Sequence, residues 1–152
     1  MTTKELKTTL LNQCKDVVET RYGKIKQTIS GIEESLFEES KSSAGDKHET
    51  GRAMLQIDRE NAGKQLQEIE KLQQLVRKID VKSKSDYARL GSLVYTNQAT
   101  YFLSISIGTS IVGKTNYMCV ALNSPIGQLL LGKQKGDAFV FNEKEIKIKR
   151  VV

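Results

Sequence analysis

Apolar side chains recur at gaps of three and four through the first part of the chain, at Leu11, Cys14, Val18, Tyr22, Ile25, Ile29, Ile32 and Leu36. A helix brings such positions onto one face, so the stripe predicts an amphipathic helix from about residue 3 to 41. A second stripe, Leu55, Ala62, Leu66, Ile69, Leu72, Val76 and Ile79, predicts another helix reaching about residue 80. Each apolar face is too narrow to stabilise a helix alone, and Gly23 and Gly31 inside the first each cost about 1 kcal/mol relative to alanine. The polar break Ser42-Ser43-Ala44-Gly45-Asp46-Lys47-His48-Glu49 makes antiparallel pairing the simplest solution, an αα-hairpin with a coiled-coil-like seam. At 1.5 Å per residue its arms would be roughly 50 to 60 Å long, a projecting rod with residues 42–50 at its tip.

After Asp80 the period changes. Val81-Lys82-Ser83-Lys84-Ser85-Asp86 is a polar linker. Beyond it, Leu90 to Tyr95, Thr100 to Ile107, Tyr117 to Leu122, Ala138 to Phe141 and Ile146 to Val152 are short β-rich runs separated by Gly, Asn and Lys. Ile126 to Leu131 reads as one short helix. The expected class is α+β, with a helical hairpin over residues 1–80 and a small antiparallel sheet carrying a helix over 81–152. A second domain that small has a marginal core of its own and gains from leaning on the base of the hairpin.

Composition narrows the possibilities. With 38% hydrophobic and 28% charged residues among 152, a modest core is expected, and no run approaches the ~20 apolar residues needed to cross a bilayer. The start, Met1-Thr2-Thr3-Lys4-Glu5-Leu6, lacks the apolar core of a signal peptide. Cys14 and Cys119, the only cysteines, fall in what read as different structural units, so a reduced, cytoplasmic protein without a disulfide framework is expected. A single histidine, His48, excludes chemistry that needs two, such as a His-rich zinc site. Charge is unevenly placed: residues 1–80 hold 14 Lys+Arg and 14 Asp+Glu, residues 81–152 hold 10 and 4, so the whole formal +6 belongs to the second part. Residues 30–50 hold six acids (Glu33, Glu34, Glu38, Glu39, Asp46, Glu49) against Lys41 and Lys47. An acidic tip and a basic opposite end would orient the protein on a strongly charged partner, although solvated faces alone account for many such patterns.

Three motifs carry candidate chemistry. Gly108-Thr109-Ser110-Ile111-Val112-Gly113-Lys114-Thr115 satisfies the phosphate-loop pattern, but Asn116 to Leu122 reads as a strand where that loop needs a helix N-terminus. Asp46 and Glu49 have the spacing of a capping box for the second helix, and a capping role is compatible with outward-facing lone pairs. In Asn123-Ser124-Pro125-Ile126-Gly127-Gln128-Leu129-Leu130-Leu131-Gly132, Ser124 can cap a short helix with Pro125 at its first position and Gly132 at its end.

The Ser124-Pro125-Ile126-Gly127 segment, with Leu131-Gly132-Lys133 and the Gly136-Asp137 turn after it, resembles the C-terminal domain of the bacterial Gre transcript-cleavage factors, the GreA/GreB family. Arg89-Leu90-Gly91-Ser92-Leu93-Val94 resembles the start of that domain's first strand, and Gly45-Asp46-Lys47-His48-Glu49 matches the family's Gly-Asp-x-x-Glu tip motif. The resemblance implies an FKBP-like second domain and a transcription elongation factor that binds RNA polymerase and inserts its coiled coil into the secondary channel. It implies that Asp46 and Glu49 help hold a Mg2+ shared with the polymerase, which itself cuts the backtracked RNA. Docking on the polymerase falls to Ser124, Pro125, Ile126 and Gly127. On this reading the chain is an accessory factor rather than an enzyme and has no cofactor of its own. It is a monomer with no membrane partner, meets nascent RNA only within the complex, and has a basic half suited to non-specific DNA contact.

The tip departs from the family's usual pattern: Lys47 stands at a normally apolar position and Thr50-Gly51-Arg52-Ala53 follows Glu49. Cations close to the carboxylates weaken their hold on Mg2+, which keeps open a channel-binding regulator that does not stimulate cleavage. An FKBP-like isomerase or chaperone, and a coiled-coil adaptor, are the remaining alternatives.

Overall fold

The structure is a computed structural model; it describes residues 1–41 and 46–152, and the side chains of all of these except 46–49. Its elements are α1 (Thr3–Lys41), α2 (Asp46–Lys78), β1 (Leu93–Thr96), β2 (Thr100–Ser104), β3 (Gly108–Val112), β4 (Thr115–Ala121), α3 (Pro125–Leu130), β5 (Ala138–Phe141) and β6 (Lys144–Val151). The class is α+β, as the sequence leads one to expect. Two compact units are present: Val18–Gln73, and Met1–Val17 together with Gln74–Val152.

In the first unit α1 and α2 run antiparallel. Arg59 Nε donates to Glu33 Oε1 at 3.2 Å and Gln73 Nε2 to Glu19 Oε1 at 3.3 Å, so rising numbers on one helix meet falling numbers on the other. Ile25, Ile29 and Ala62 are buried between them, with Ile32, Leu66 and Ile69 packed alongside, all members of the two sequence stripes. Burial of each isoleucine is worth roughly 1.5 to 3 kcal/mol, whereas the exposed Arg59–Glu33 pair adds well under 1, so the seam is held by its apolar face.

The second unit is built on a six-stranded sheet of order β3-β4-β2-β1-β6-β5. It is mixed, which corrects the expectation of a wholly antiparallel sheet: β2 and β4 are parallel, with Tyr101 opposite Met118 and Ser104 opposite Ala121. The cause lies in β3, which pairs with β4 as a hairpin on its outer side and so returns β4 into the slot beside β2, running the same way. Gly113 and Lys114 form the two-residue turn of that hairpin, with φ 63° at Gly113 and none above zero at Lys114, as a type II′ turn requires. Sequence periodicity misses β3 because only Ser110 of its five residues is buried.

Alternation along the strands gives the sheet two covered faces. Val94, Tyr101, Leu103, Val120, Ile146 and Ile148 point to one, where Ile126 and Leu130 of α3 pack with Ala88. Leu93, Phe102, Ser104 and Cys119 share the other, since Leu93 pairs with Phe102 and Phe102 with Cys119. The start of α1 meets that face: Gln13 Nε2 donates to the Ile111 carbonyl at 3.2 Å and Cys14 Sγ lies 3.6 Å from Ser104 Oγ. Thr2 and Glu5 close the N-terminus of α1 as a capping box, Glu5 N donating to Thr2 Oγ1 at 3.1 Å and Thr2 N to Glu5 Oε2 at 2.8 Å.

Candidate functional site

Asp46 begins α2, and its first turn carries Asp46 and Glu49. Their side chains, together with Ser42 to Gly45, lie outside the described residues. The first turn of a helix is the positive end of its dipole, which favours negative charge. Around this end, Gly51 of α2 approaches the Glu39 carboxylate, a β-carbon there lying 3.6 Å from Glu39 Oε1, while Arg52 is exposed. Phe37, Met54 and Ile57 are 57%, 63% and 56% exposed, so this end of the hairpin offers apolar side chains beside its acids. Lys41 Nζ stands 4.2 Å from the centre of the Phe37 ring, one favourable use of a base in an acidic region.

Carboxylates are hard oxygen donors suited to Mg2+, but two of them leave most of an octahedral shell to other ligands. Among the described residues no group of three or more His, Cys, Asp or Glu could complete it.

The Ser124-Pro125-Ile126-Gly127 segment is accounted for residue by residue. Ser124 is the extended N-cap of α3; its Oγ accepts from Gly127 N at 3.1 Å and donates to the Ala121 carbonyl at 2.6 Å. Pro125 opens the helix, where a missing N–H costs nothing. Ile126 is 8% exposed within the sheet core. Gly127 is fixed by space, since a β-carbon would run into the Ala121 carbonyl oxygen. What this segment shows outward is Pro125, flanked by Asn123 and Gln128.

The phosphate-loop pattern is two strands of a hairpin, with no helix after its Gly-Lys-Thr. The aromatic residues Tyr101, Phe102 and Tyr117 are buried in the sheet.

Two features escape the sequence. Cys14 and Cys119 do not lie in separate units: both belong to the sheet-bearing one, both are buried, and each is the strongest influence on the other's ionisation. Lys7 is 2% exposed, and burial, with the Arg89 guanidinium nearby, lowers its pKa despite the attraction of Asp80. No local pattern marks either, because both arise from the docking of α1 on a distant part of the chain.

No protein-family model matches this chain, and no curated protein matches it. Among solved structures, that of the transcription factor Gfh1 is similar at 17% identity, covering 86% of this chain and 92% of that one, with a TM-score of 0.34. What the site can do follows from its own residues. No helix among those described is long and apolar enough to cross a membrane.

Proposed function

We propose that this protein is a Gre-like accessory factor of RNA polymerase, which enters the secondary channel with its helical hairpin and presents Asp46 and Glu49 to the polymerase active site. The observation that carries this reading is the sequence Gly45-Asp46-Lys47-His48-Glu49 at the join between two long antiparallel helices, with both acids in the first turn of the second. In a chain that also holds the Ser124-Pro125-Ile126-Gly127 element on a mixed sheet, the two motifs together resemble one family at separate positions.

Asp46 and Glu49 would hold Mg2+ jointly with the polymerase. The bound ion supplies Lewis-acid support for oxygens that gain charge as RNA is cut. The chain's own part is to carry the two acids in the first turn of α2, at the helix end whose dipole favours negative charge. Docking belongs to the basic sheet-bearing unit, with Pro125 as the exposed point of the Ser124–Gly127 element.

Lys47 within the motif and the exposed Arg52 just after it favour a second reading, a channel-binding regulator that does not stimulate cleavage. Both readings require polymerase binding. Mixed with core polymerase, the protein should co-migrate in gel filtration and be displaced by another secondary-channel ligand. Failure to co-migrate at micromolar concentrations and low salt would remove both and leave the adaptor reading.

A further inference from the structure

We infer that Cys14 and Cys119 form a redox-modifiable pair, which a hydroperoxide converts to an intramolecular disulfide tying α1 to β4. Cys14 is fully buried on α1 and Cys119 is 1% exposed on β4. The parallel register sets Cys119 opposite Phe102, hence on the same sheet face as Ser104. Ser104 Oγ lies 3.6 Å from Cys14 Sγ and also hydrogen-bonds Cys119, so one hydroxyl reaches both sulfurs. On its other side Cys119 Sγ donates to Ser110 Oγ at 3.6 Å. Both thiols thus lie beside the Ser104 hydroxyl, between helix and sheet, although they are far apart in sequence.

The same contacts divide the labour between the thiols. The neighbouring Cys119 and burial push the Cys14 thiol well up. Cys119 is brought down to about 7 by its neighbour Cys14, against the opposing effect of burial, with Ser110 and Ser104 assisting. The direction of these shifts favours Cys119, the more readily ionised of the two, as the attacking sulfur.

The chemistry balances without a cofactor. The Cys119 thiolate attacks the terminal oxygen of a hydroperoxide; an S–O bond forms, the O–O bond breaks, and the alcohol (or water, from hydrogen peroxide) leaves with a proton. Cys14 then attacks the resulting sulfenic sulfur, the S–O bond breaks, and hydroxide departs with the Cys14 proton as water. Two thiols lose two electrons and the peroxide gains them. An adjacent resolving thiol intercepts the sulfenic acid before further oxidation, and burial excludes bulky oxidants.

The full-length protein, kept native, is exposed to hydrogen peroxide and quenched with catalase. It is then unfolded in guanidinium with N-ethylmaleimide and its intact mass measured. The expected result is loss of both maleimide additions, a mass lower by two hydrogens, monomers on a non-reducing gel, and recovery of both additions after dithiothreitol. The oxidised protein should also melt at a higher temperature, because the crosslink closes a long loop of the unfolded chain. Retention of both additions, stable addition of oxygen to a single cysteine, disulfide-linked dimers, or a lowered melting temperature would each overturn the inference. Cys14→Ser should end with an oxygenated Cys119; an unmodified Cys119 thiol would contradict its role as the attacking sulfur.

Discussion

Single side chains show which positions answer to the fold and which are free for function. Gly127 answers to the fold: with the Ala121 carbonyl where its β-carbon would stand, Gly127→Ala should cost about 2 to 3 kcal/mol in urea unfolding, the scale of overpacking a tight contact. Glu143 is the opposite case. It shares a two-residue hairpin turn with Asn142, and the two have φ 65° and 52°, values that glycine reaches with far less strain. Glu143→Gly should therefore raise stability by about 1 kcal/mol, measured the same way. Lys7 is charged where burial and neighbouring cations disfavour it, so its folded pKa lies below the unfolded value. The penalty is fully present below the folded pKa and disappears as pH rises above it toward the unfolded one. Lys7→Met should accordingly raise the unfolding midpoint near pH 7, with the gain shrinking toward pH 11; a gain constant with pH would mean that packing, not charge, is responsible.

At the scale of elements, the helical period carries most of the information. The stripe from Leu11 to Leu36 and the stripe from Leu55 to Ile79 appear as α1 and α2, and members of both line the observed seam. Gly23 and Gly31 face open space, with nothing near the position of a β-carbon. Each glycine→alanine change there should stabilise α1 by about 1 kcal/mol in a chemical denaturation series, since no contact opposes the gain in helix propensity. The strands are legible where two faces alternate, as in β2 and β4, and illegible in β3, which buries only Ser110 and was masked by a phosphate-loop pattern. Parallel pairing of β2 with β4 depends on where β3 inserts, a non-local choice that no run of residues encodes by itself. The Ser124-Pro125-Ile126-Gly127 element was readable as a capped helix start because each residue has a local backbone reason, but its packing on β4 was not. The thiol pair reads in reverse: Cys14 lies in the helical segment and Cys119 in the β-rich one, which suggests separate units, whereas α1 begins against the sheet.

For the whole molecule, charge is divided by sequence, with the excess of six positive charges confined to residues 81–152. If this basic part docks on an acidic or polyanionic surface, affinity for polymerase should fall several-fold between 50 and 200 mM salt, because exposed charges are screened beyond ~10 Å at moderate ionic strength. A salt-independent affinity would place docking on apolar contacts instead. The central claim concerns the first turn of α2, and it is tested most directly on halted, backtracked RNA polymerase by following the length of the RNA. The account predicts that the wild-type protein shortens the transcript in the presence of Mg2+ by at least tenfold faster cleavage. Asp46→Ala/Glu49→Ala should lose that stimulation while still competing for the channel. Unchanged RNA with wild-type protein, or full stimulation by the double variant, would contradict it.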